Sequence, residues 1–476
     1  MFGLRHQLDQ HATHIARVEE NYRYAMGAQA RLAGAKDRRS LDAQVVAPGC
    51  IEEILPLLVV VNDHADVAVG SLVGPPVRRQ MPGIATLVER RLVGQPAHVV
   101  AHDETGHGLE HRYIDALAAA GATLHLHRTH TLFDLDGITT KTGGIYGVYT
   151  PFARTCRALG SPQPPTPAPD RIPSPAAPRS DRLEDWGLLP THPDWAGGFR
   201  KTWQVGEAAA HDCLAAFLSK AVHGYDTGRN LPGQPGTSMV SPHLHWGELS
   251  PTQVWHTARQ AAQQTGEGLE VYLGEILWRE FSAYLLWHHP HMPEQPLRPE
   301  FARLPVRDDD AALHAWRHGQ TGVPIVDAGM RQLRSLGWMH NRVRMITASF
   351  LVKQLLLPWQ AGSAFFWKML VDADLASNSA SWQWIAGCGT DNSPFFRVFN
   401  PLTQGEKFDA AGAYVRRWVP ELARMPNAFL HQPWAADAIT LAGAGVVLGK
   451  TYPAPLVDLP AARQRALDAF KTMRTA

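Results

Sequence analysis

Residues 372–384 read Asp-Ala-Asp-Leu-Ala-Ser-Asn-Ser-Ala-Ser-Trp-Gln-Trp and combine acidic, amide and large aromatic side chains in one short segment. On a surface loop, Trp382 and Trp384 would expose two large apolar rings to water. In a purely apolar core helix, Asp372, Asp374 and Asn378 would be buried without partners, which costs several kcal/mol. The mixture predicts a segment that lines the site of a large ligand with both polar and aromatic parts.

The composition describes a globular chain without a global basic signature for nucleic acid. Its 476 residues are enough for two domains with large cores, and its formal net charge is +1. Between Asp327 and Asp372 there is no acidic residue, although this run contains several arginines and lysines. Such a run is typical of a phosphate-facing surface or of a solvated helix face, and the sequence leaves both interpretations open.

Several classes of site are disfavoured by the spacing of the residues that would build them. The four cysteines lie far apart and fit neither a disulfide framework nor a zinc site, so we expect a reducing, cytoplasmic environment. His125 and His127 alternate with leucines, which favours a strand with one polar face over a metal site. No apolar stretch approaches the ~20 residues that span a bilayer, and no signal peptide is recognisable. We therefore predict no metal and no membrane partner.

The first 159 residues are interpreted as an α/β domain, but residues 1–108 show little pattern. From about His111 the pattern improves: Tyr113–Ala120 is predicted as a helix and Thr123–His127 as a strand. Residues 160–198 begin with a stretch rich in proline, serine and alanine that cannot build a core. We predict that they form an interdomain linker.

Residues 199–476 are predicted to form an all-α domain, because helical segments alternate with short glycine and proline breaks. Ser241-Pro242 and Ser250-Pro251 fit the N-cap and first position of two of these helices. Residues 236–242 join a loop to a helix start, where small hydroxyl side chains and free N–H groups suit a phosphate. This signal is weak on its own, since Ser-Pro caps are common.

Glu275, Trp278 and Arg279 fall at helical positions i, i+3 and i+4 and therefore share one helix face. Taken alone, this pattern describes either a surface ion pair beside a core tryptophan or a ligand-facing stripe. Asn341 and Met345 likewise lie one turn apart on a single face.

A resemblance to a known family orders these motifs. Trp-Met-His-Asn-Arg-Val-Arg-Met at 338–345, Thr-Gly-Val-Pro-Ile-Val-Asp-Ala at 321–328, Asn400-Pro401 and Gln-Gly-Glu-Lys at 404–407 occur in the order found in the flavin domain of the DNA photolyase/cryptochrome family. The chain resembles this family from about Trp203 to Pro420. The resemblance implies a helical FAD-binding domain preceded by a Rossmann-like antenna domain, with residues 1–108 diverged or disrupted.

The resemblance assigns roles residue by residue. For reduced FAD it implies the binding residues Tyr225, Thr237, Ser238, Met239, Val240, Ser241, Tyr272, Arg279, Arg344, Asp372, Ala373, Asp374 and Asn378. For DNA it implies Arg229, Glu275, Trp278, Arg279, Asn341, Arg342, Met345, Trp384, Gln404 and Lys407. The catalytic residues would be Glu275, Asn341, Asn378 and Trp384.

Within the family, particular identities point to one activity. Six-four photolyases and animal cryptochromes carry histidines in place of Asn341 and Met345, and the single-strand-preferring cryptochromes carry tyrosine in place of Trp384. Plant cryptochromes carry aspartate and insect ones cysteine in place of Asn378. The chain thus resembles a class I cyclobutane pyrimidine dimer photolyase, in which excited reduced FAD donates an electron to a flipped-out dimer. A cryptochrome-like blue-light photoreceptor and an inactive flavin- or DNA-binding relative are the alternatives.

Two features depart from the family pattern. Trp382 and Trp359 match two members of the family's electron-transfer chain, but the third position is Val306, which cannot form an aryl radical. We therefore expect impaired or rerouted photoreduction. The segments that would hold a folate or deazaflavin antenna are not recognisable, so we predict that antenna binding is weak or absent. The expected partner is DNA containing pyrimidine dimers, bound by a monomer.

Overall fold

The structure is a computed structural model that describes residues 98–101, 123–126, 129–168, 170–171, 182–190, 192–261, 266–391 and 396–475. The chain divides into two compact units, one comprising Met1–Leu126 and Pro175–Leu188, the other comprising His127–Ser174 and Leu189–Ala476.

The first unit contains two short parallel strands, β1 His98–Ala101 and β2 Thr123–Leu126. Their register places His98 opposite Thr123 and Ala101 opposite Leu126. The predicted strand at Thr123–His127 is confirmed as β2. Strand β1 lies in the part of the chain where the sequence shows little pattern, because His-Val-Val-Ala lacks the alternation of polar and apolar residues that Thr-Leu-His-Leu shows in β2. The predicted helix at 113–120 and the rest of the Rossmann-like prediction lie outside the described residues.

The second unit is helical, as predicted for residues 199–476. Its α-helices are α1 Tyr149–Ala158, α2 Gly197–Thr202, α3 Glu207–Lys220, α4 Tyr225–Gly228, α5 Ser241–His245, α6 Pro251–Ala261, α7 Glu267–His288, α8 Asp310–Arg317, α9 Pro324–Leu336, α10 Asn341–Ser349, α11 Trp359–Met369, α12 Leu375–Ala386, α13 Pro401–Phe408, α14 Ala413–Trp418, α15 Asn427–Leu430, α16 Ala438–Ala444 and α17 Leu459–Thr475. A π-helical turn at Phe350–Gln354 follows α10. None of the described helices is long and apolar enough to cross a bilayer.

Two apolar clusters organise this unit. One lies around α7 and includes Phe152 of α1, Leu214 of α3 and Val254 of α6, all fully buried. The other is built around α9, α10, α11 and α17, with Trp316 buried at its centre. Helix α7 packs against α12, and α10 packs against α12 as well. These three helices therefore meet where the predicted site residues lie.

Helix α1 belongs to the core of the helical unit. The ring of Phe152 lies 5.1 Å from that of Phe281 and 4.9 Å from that of Tyr284, both on α7. The backbone N–H groups of Leu132 and Phe133 donate to the buried carboxylate of Glu280 at 2.8 and 2.9 Å. The end of the predicted first domain therefore packs within the helical unit, and the proposed boundaries at 159 and 198 stay predictions.

The two Ser-Pro pairs have different roles. Ser250 Oγ accepts from the N–H of Gln253 at 3.1 Å, while Gln253 Oε1 accepts from the N–H of Ser250 at 2.8 Å. This reciprocal pair is a capping box, so the predicted N-cap at Ser250 is confirmed. The predicted N-cap at Ser241 is wrong, because Val240 is the N-cap and Ser241 is already inside α5. The Ser241 hydroxyl instead donates to Asp372 at 2.7 Å.

The acid-free run of the sequence does not form one phosphate-facing surface. Arg331 pairs with Glu421 at 2.7 Å, and Arg344 pairs with Asp372 at 2.8 Å. The ammonium group of Lys353 is buried and donates to a backbone carbonyl at 2.8 Å. Carboxylates from other elements pair with Arg331 and Arg344, and a distant backbone carbonyl accepts from Lys353, so the partners of these three cations lie outside the run.

The loop before α9 is held by a buried carboxylate in the 321–328 motif, that of Asp327. Asp327 accepts from the N–H and hydroxyl of Thr321, from the N–H of Gly322 and from the hydroxyl of Tyr452. Burial raises the pKa of Asp327, and these hydrogen bonds oppose that rise. Asp327 therefore stabilises the fold and does not contact the site described next.

Candidate active site

The candidate site lies where α7, α10 and α12 meet. Helix α7 carries Glu275 and Trp278, while α12 carries Asn378 and Trp384. The packing of α7 against α12 brings together side chains that are about one hundred residues apart in the sequence. The structure therefore places the helices that carry these predicted residues side by side.

Asp372 is the acceptor at the centre of a polar cluster between α5 and α12. Both of its carboxylate oxygens accept from Arg344 Nη2, at 3.0 and 2.8 Å. One also accepts from the hydroxyl of Ser241, to which the indole N–H of Trp338 donates at 3.4 Å. Arg344 and Asp372, both predicted to bind FAD, therefore form an ion pair with each other. Ala373, the next residue, is buried.

Asp374 has both a structural and an electrostatic function. It is the N-cap of α12, where its carboxylate accepts from the N–H of Ser377 at 2.6 Å. Arg279 Nη2 lies 3.8 Å from the same carboxylate. Burial acts to raise the pKa of Asp374, but Arg279 and the Ser377 hydrogen bonds lower it below its ordinary value. Asp374 is therefore an anion at neutral pH, and Arg279 also donates to the His130 carbonyl.

His245 adds an unused hydrogen-bonding atom beside these aspartates. Its Nδ1 is buried and has no hydrogen-bond partner among the described residues. Burial lowers the pKa of His245, and the nearby charges of Asp374 and Asp372 partly oppose that effect. A polar ligand group at this position would satisfy the imidazole nitrogen.

The orientation of the Asn378 amide is fixed by Ser363 of α11. Asn378 Nδ2 donates to the Ser363 carbonyl at 3.2 Å and to the Ser363 hydroxyl at 3.0 Å. Because a carbonyl can only accept, the amide nitrogen must be the atom that faces Ser363. The amide oxygen is therefore presented away from Ser363.

The loop before α5 has an unusual backbone. Met239 has φ 56°, a left-handed conformation that is uncommon for a non-glycine residue. The Ser238 carbonyl accepts from Cys213 Sγ at 3.1 Å. Thr237 is partly buried and Val240 is buried. The turn thus fixes the backbone of the predicted phosphate-binding segment, although α5 itself is too short to supply a strong helix dipole.

Tyr225 and Tyr272 line the space beside this loop. Their rings meet edge to face with centroids 5.4 Å apart, and burial raises the pKa of both hydroxyls. The guanidinium of Arg229 lies over the Tyr225 ring at 5.5 Å. Tyr225, predicted to bind FAD, is therefore in contact with Arg229, predicted to bind DNA.

Glu275 is ion-paired in this structure. Its Oε1 lies 2.6 Å from Arg229 Nη1, and the two side chains are 27% and 23% exposed, respectively. Burial raises the pKa of Glu275, and the charges of Arg229 and Arg342 act in the opposite direction. Glu275 and Arg229 were both predicted to bind DNA, and in this structure they bind each other.

One face of Trp278 is already covered. The ring of Tyr149, the first residue of α1, is stacked on Trp278 with centroids 3.7 Å apart and an interplanar angle of 7°. The Tyr149 hydroxyl donates to the Gly274 carbonyl at 2.7 Å, and burial is the main cause that raises its pKa to about 12. Only the opposite face of Trp278 can stack on a ligand. The sequence did not identify Tyr149, whose only signal was its place in an aromatic segment.

Helix α10 presents Arg342 and Met345 toward Arg229. Arg342 donates to the Asn230 side chain and contacts Met345 Sδ at 3.7 Å. Burial lowers the pKa of Arg342, as do the charges of Arg229 and Arg397. Asn341, at the start of α10, is exposed.

Trp384 lies at the edge of a cavity of about 490 Å³, which is also lined by Arg397, Phe396, Phe399 and Lys353. Arg397 is exposed, and its guanidinium lies over the Phe399 ring at 4.7 Å. Arg397 was missed in the sequence because it stands outside every quoted motif. The fold brings it close enough to Arg342 to affect that residue's pKa.

Gln404 and Lys407 both lie on α13, where Gln404 is partly buried and Lys407 is exposed. Lys407 Nζ lies 5.2 Å from the Phe408 ring, and Arg342 lies 4.6 Å from the same ring. Phe408 therefore connects α13 with the arginines of the site.

The predicted electron-transfer residues lie in the core. Trp382 is 2% exposed, and its ring packs so closely on Gly362 that a Cβ there would lie 2.2 Å from it. Trp359 lies one helical turn before Gly362 on α11 and therefore shares its face. Val306 is 48% exposed, and the N–H of its neighbour Arg307 donates to the Leu356 carbonyl at 2.7 Å. The position predicted for the third member of the chain is thus an exposed aliphatic side chain, next to a residue that contacts Leu356.

Comparison with known families matches both parts of the chain. The family described as the FAD binding domain of DNA photolyase matches residues 272–472, and the family described as DNA photolyase matches residues 96–170. The second match begins at the segment that contains β1, which the sequence motifs did not reveal.

Individual relatives give the same result. The chain is 46% identical over 375 residues to a deoxyribodipyrimidine photo-lyase of Agrobacterium fabrum, covering 78% of each protein. It is 35% identical to cryptochrome-1 of Arabidopsis thaliana, covering 76% of this chain and 55% of the cryptochrome. It is similar to the crystal structure of a class III photolyase from Agrobacterium tumefaciens, with TM-score 0.79, 44% identity, and coverage of 83% of this chain and 82% of that one.

Proposed function

We propose a residue-level mechanism from the premise that the chain belongs to the DNA photolyase/cryptochrome family and is a light-driven DNA-repair lyase that uses FAD. The proposed substrate is a cyclobutane pyrimidine dimer in DNA, flipped out of the helix. The observation that carries the proposal is the packing of α7 against α12, which sets Glu275 and Trp278 beside the helix of Asn378 and Trp384. The class I assignment is not confirmed, since the solved relative above is described as class III.

The polar residues between α5 and α12 fit FAD. Unsatisfied His245 Nδ1 and the anionic Asp374 would meet the hydroxyl and ring N–H donors of a flavin nucleotide. The Ser238–Ser241 turn and Arg344 would hold its phosphates and sugar. Bound there in its reduced form, FAD would supply light-driven one-electron chemistry to the dimer, with no net change in its own redox state.

Asn378 determines which protonation state is favoured at the flavin N5. Its amide nitrogen is committed to Ser363, so its oxygen is the atom that would accept a hydrogen bond from an N5–H group. Such a bond stabilises the reduced flavin, which carries that proton, over the oxidised flavin, which does not.

The dimer would lie against the free face of Trp278. Trp384 would contact it from α12, and Met345 and Asn341 of α10 would complete the pit. Glu275 would accept hydrogen bonds from the pyrimidine edge. These side chains orient the dimer and exclude water, which favours electron transfer to the dimer over side reactions.

The DNA backbone would be held by cations around this pit. Arg229 and Arg397 both lie close enough to Arg342 to lower its pKa. Lys407 is exposed on α13, the helix that also carries Gln404. Phosphate contacts give affinity without sequence preference, as lesion repair requires.

Photochemical turnover tests this proposal. Purified protein with chemically reduced flavin should restore thymine-dimer DNA to intact thymines under blue light and do nothing in the dark. A photoreceptor would instead show light-induced spectral change without turnover. Failure of a reduced, flavin-loaded sample to convert dimers would contradict the proposed activity.

Four further features of the protein are still predictions from the sequence. They are a monomeric state, a cytoplasmic location, a weak or absent folate or deazaflavin antenna, and domain boundaries at 159 and 198. Absorbance of the purified protein beyond the flavin bands would contradict the antenna prediction.

A further inference from the structure

The Arg229–Glu275 ion pair places two assigned functions in competition. Glu275 Oε1 and Arg229 Nη1 lie 2.6 Å apart. In the proposed function, Glu275 must accept from a flipped pyrimidine and Arg229 must contact a phosphate. While the pair is closed, the negative charge of Glu275 offsets the positive charge that Arg229 would offer to a phosphate.

The surroundings make this carboxylate the local counter-ion for several guanidinium groups. The positive charges of Arg229 and Arg397 lower the pKa of Arg342, and the negative charge of Glu275 raises it. Arg342 is itself held by the side chain of Asn230, the residue after Arg229. Removing Arg229 from Glu275 would leave a partly buried carboxylate with fewer partners, which is costly unless another donor replaces the guanidinium.

We propose that this ion pair couples recognition of the lesion to binding of the DNA backbone. Undamaged DNA keeps its bases stacked, so the pair stays closed and Arg229 contributes little to phosphate binding. A flipped dimer brings ring N–H donors to Glu275, which compensates that carboxylate and releases Arg229 to a phosphate. Glu275 thereby determines specificity as well as contacting the base. This inference rests on the proposed function for the identity of the lesion.

Glu275→Gln separates these functions, because a neutral amide of the same shape cannot hold Arg229 as a counter-ion. Affinity for undamaged duplex should rise by about threefold or more at low salt. The slope of log affinity against log salt should steepen by about 0.9, the value for one additional phosphate contact. Discrimination between dimer-containing and undamaged duplex should fall by a similar factor.

The matched control is Glu270→Gln on the same helix. Glu270 pairs with Arg259, and both of these side chains are more exposed than the Arg229–Glu275 pair. The substitution makes the same change in net charge without touching the site. It should leave the salt slope on undamaged DNA unchanged, so any effect of charge alone is measured directly.

Arg229→Met provides the converse test. It should flatten the salt slope by about 0.9 on dimer-containing duplex but not on undamaged duplex. Arg259→Met is its control, and the double variant Arg229→Met/Glu275→Gln should lose the affinity gain on undamaged DNA. Flavin absorbance and thermal melting check that each variant is folded.

The binding titrations need no light, so they are independent of the repair assay. If wild-type protein binds DNA but does not repair dimers, the proposed function fails and the titrations still decide the coupling. If Glu275→Gln behaves like Glu270→Gln on undamaged DNA, or if its gain persists without Arg229, the coupling is rejected.

Discussion

At the scale of single residues, hydrogen bonds decide which atom of a side chain is left for a ligand. Asn378 is the clearest case, because the Ser363 carbonyl requires its amide nitrogen and leaves its oxygen available to a ligand. Ser241 is another, since its hydroxyl caps no helix and instead orients Asp372. Function at these positions depends on a partner from a different helix.

Replacement of Asn378 by Asp should lower the two-electron potential of the bound flavin. A carboxylate has no N–H for the Ser363 carbonyl, and its negative charge opposes addition of electrons nearby. We expect a shift of about 30–60 mV, which corresponds to about 1.4–2.8 kcal/mol. Potentiometric titration of the flavin absorbance measures this shift.

Ser363→Ala is the control for that experiment. It removes one acceptor of the Asn378 amide but keeps the carbonyl that fixes the amide orientation, so the potential should change much less. Equal potentials in wild-type protein and Asn378→Asp would contradict the proposed contact with the flavin.

At the scale of elements, α1 connects the segment before the linker to the site helix α7. Phe152 packs in the α7 core, and Tyr149 stacks on Trp278. The backbone of α7 is also held through the Tyr149 hydroxyl and the Gly274 carbonyl. Helix α1 thus positions a side chain that belongs to a different helix and to the proposed lesion pit.

Loss of the Tyr149 ring should weaken binding of the lesion. In Tyr149→Leu, the covered face of Trp278 loses a stacked aromatic partner worth about 0.5–1.5 kcal/mol, so its indole is less well oriented for the dimer. Affinity for dimer-containing duplex should fall by about two- to tenfold, with little change for undamaged duplex. Fluorescence anisotropy with both duplexes measures the difference.

Tyr149→Phe distinguishes stacking from general destabilisation. It keeps the ring but loses the hydrogen bond to Gly274, so it should lower the free energy of unfolding by about 0.5–1.5 kcal/mol while preserving lesion affinity. A parallel loss of affinity for both duplexes in Tyr149→Leu would refute the positioning role.

At the scale of the whole molecule, the question is how an electron crosses the core from solvent to the flavin. Trp382 and Trp359 are buried in the larger apolar cluster, while Val306 is exposed at the surface. Trp382 also contacts Trp316, with ring centroids 6.3 Å apart, but Trp316 is fully buried. A contact with Trp316 therefore does not by itself reach the surface.

Val306→Trp should accelerate reduction of the oxidised flavin by blue light in the presence of a thiol donor, because it restores an oxidisable ring at the surface. Val306→Phe is the control, since it adds bulk without an easily oxidised indole. Repair by chemically reduced protein should be unchanged in both variants. Equal photoreduction rates in wild type and Val306→Trp would show that the electron takes another route.

Much of the architecture was already present in local patterns. Helical segments, the capping box at Ser250 and the ordered motifs between residues 321 and 407 are short-range signals, and they led to the fold of the helical unit and to its family. Strand β1 was not predicted, because its sequence His-Val-Val-Ala does not alternate polar and apolar residues as that of β2 does. The acid-free run left two interpretations open, because the carboxylates that pair with Arg331 and Arg344 lie outside it.

The sequence by itself determined that a helical, flavin-binding chain carries Glu275, Trp278, Asn378 and Trp384. Only the tertiary structure decided that Arg229 closes on Glu275, that Tyr149 covers Trp278 and that Ser363 turns the Asn378 amide. The physical reason is that helix formation depends on neighbours within a few residues along the chain. Ion pairs, ring stacking and amide orientation depend instead on which helices pack together, and that packing is set by the burial of the whole core.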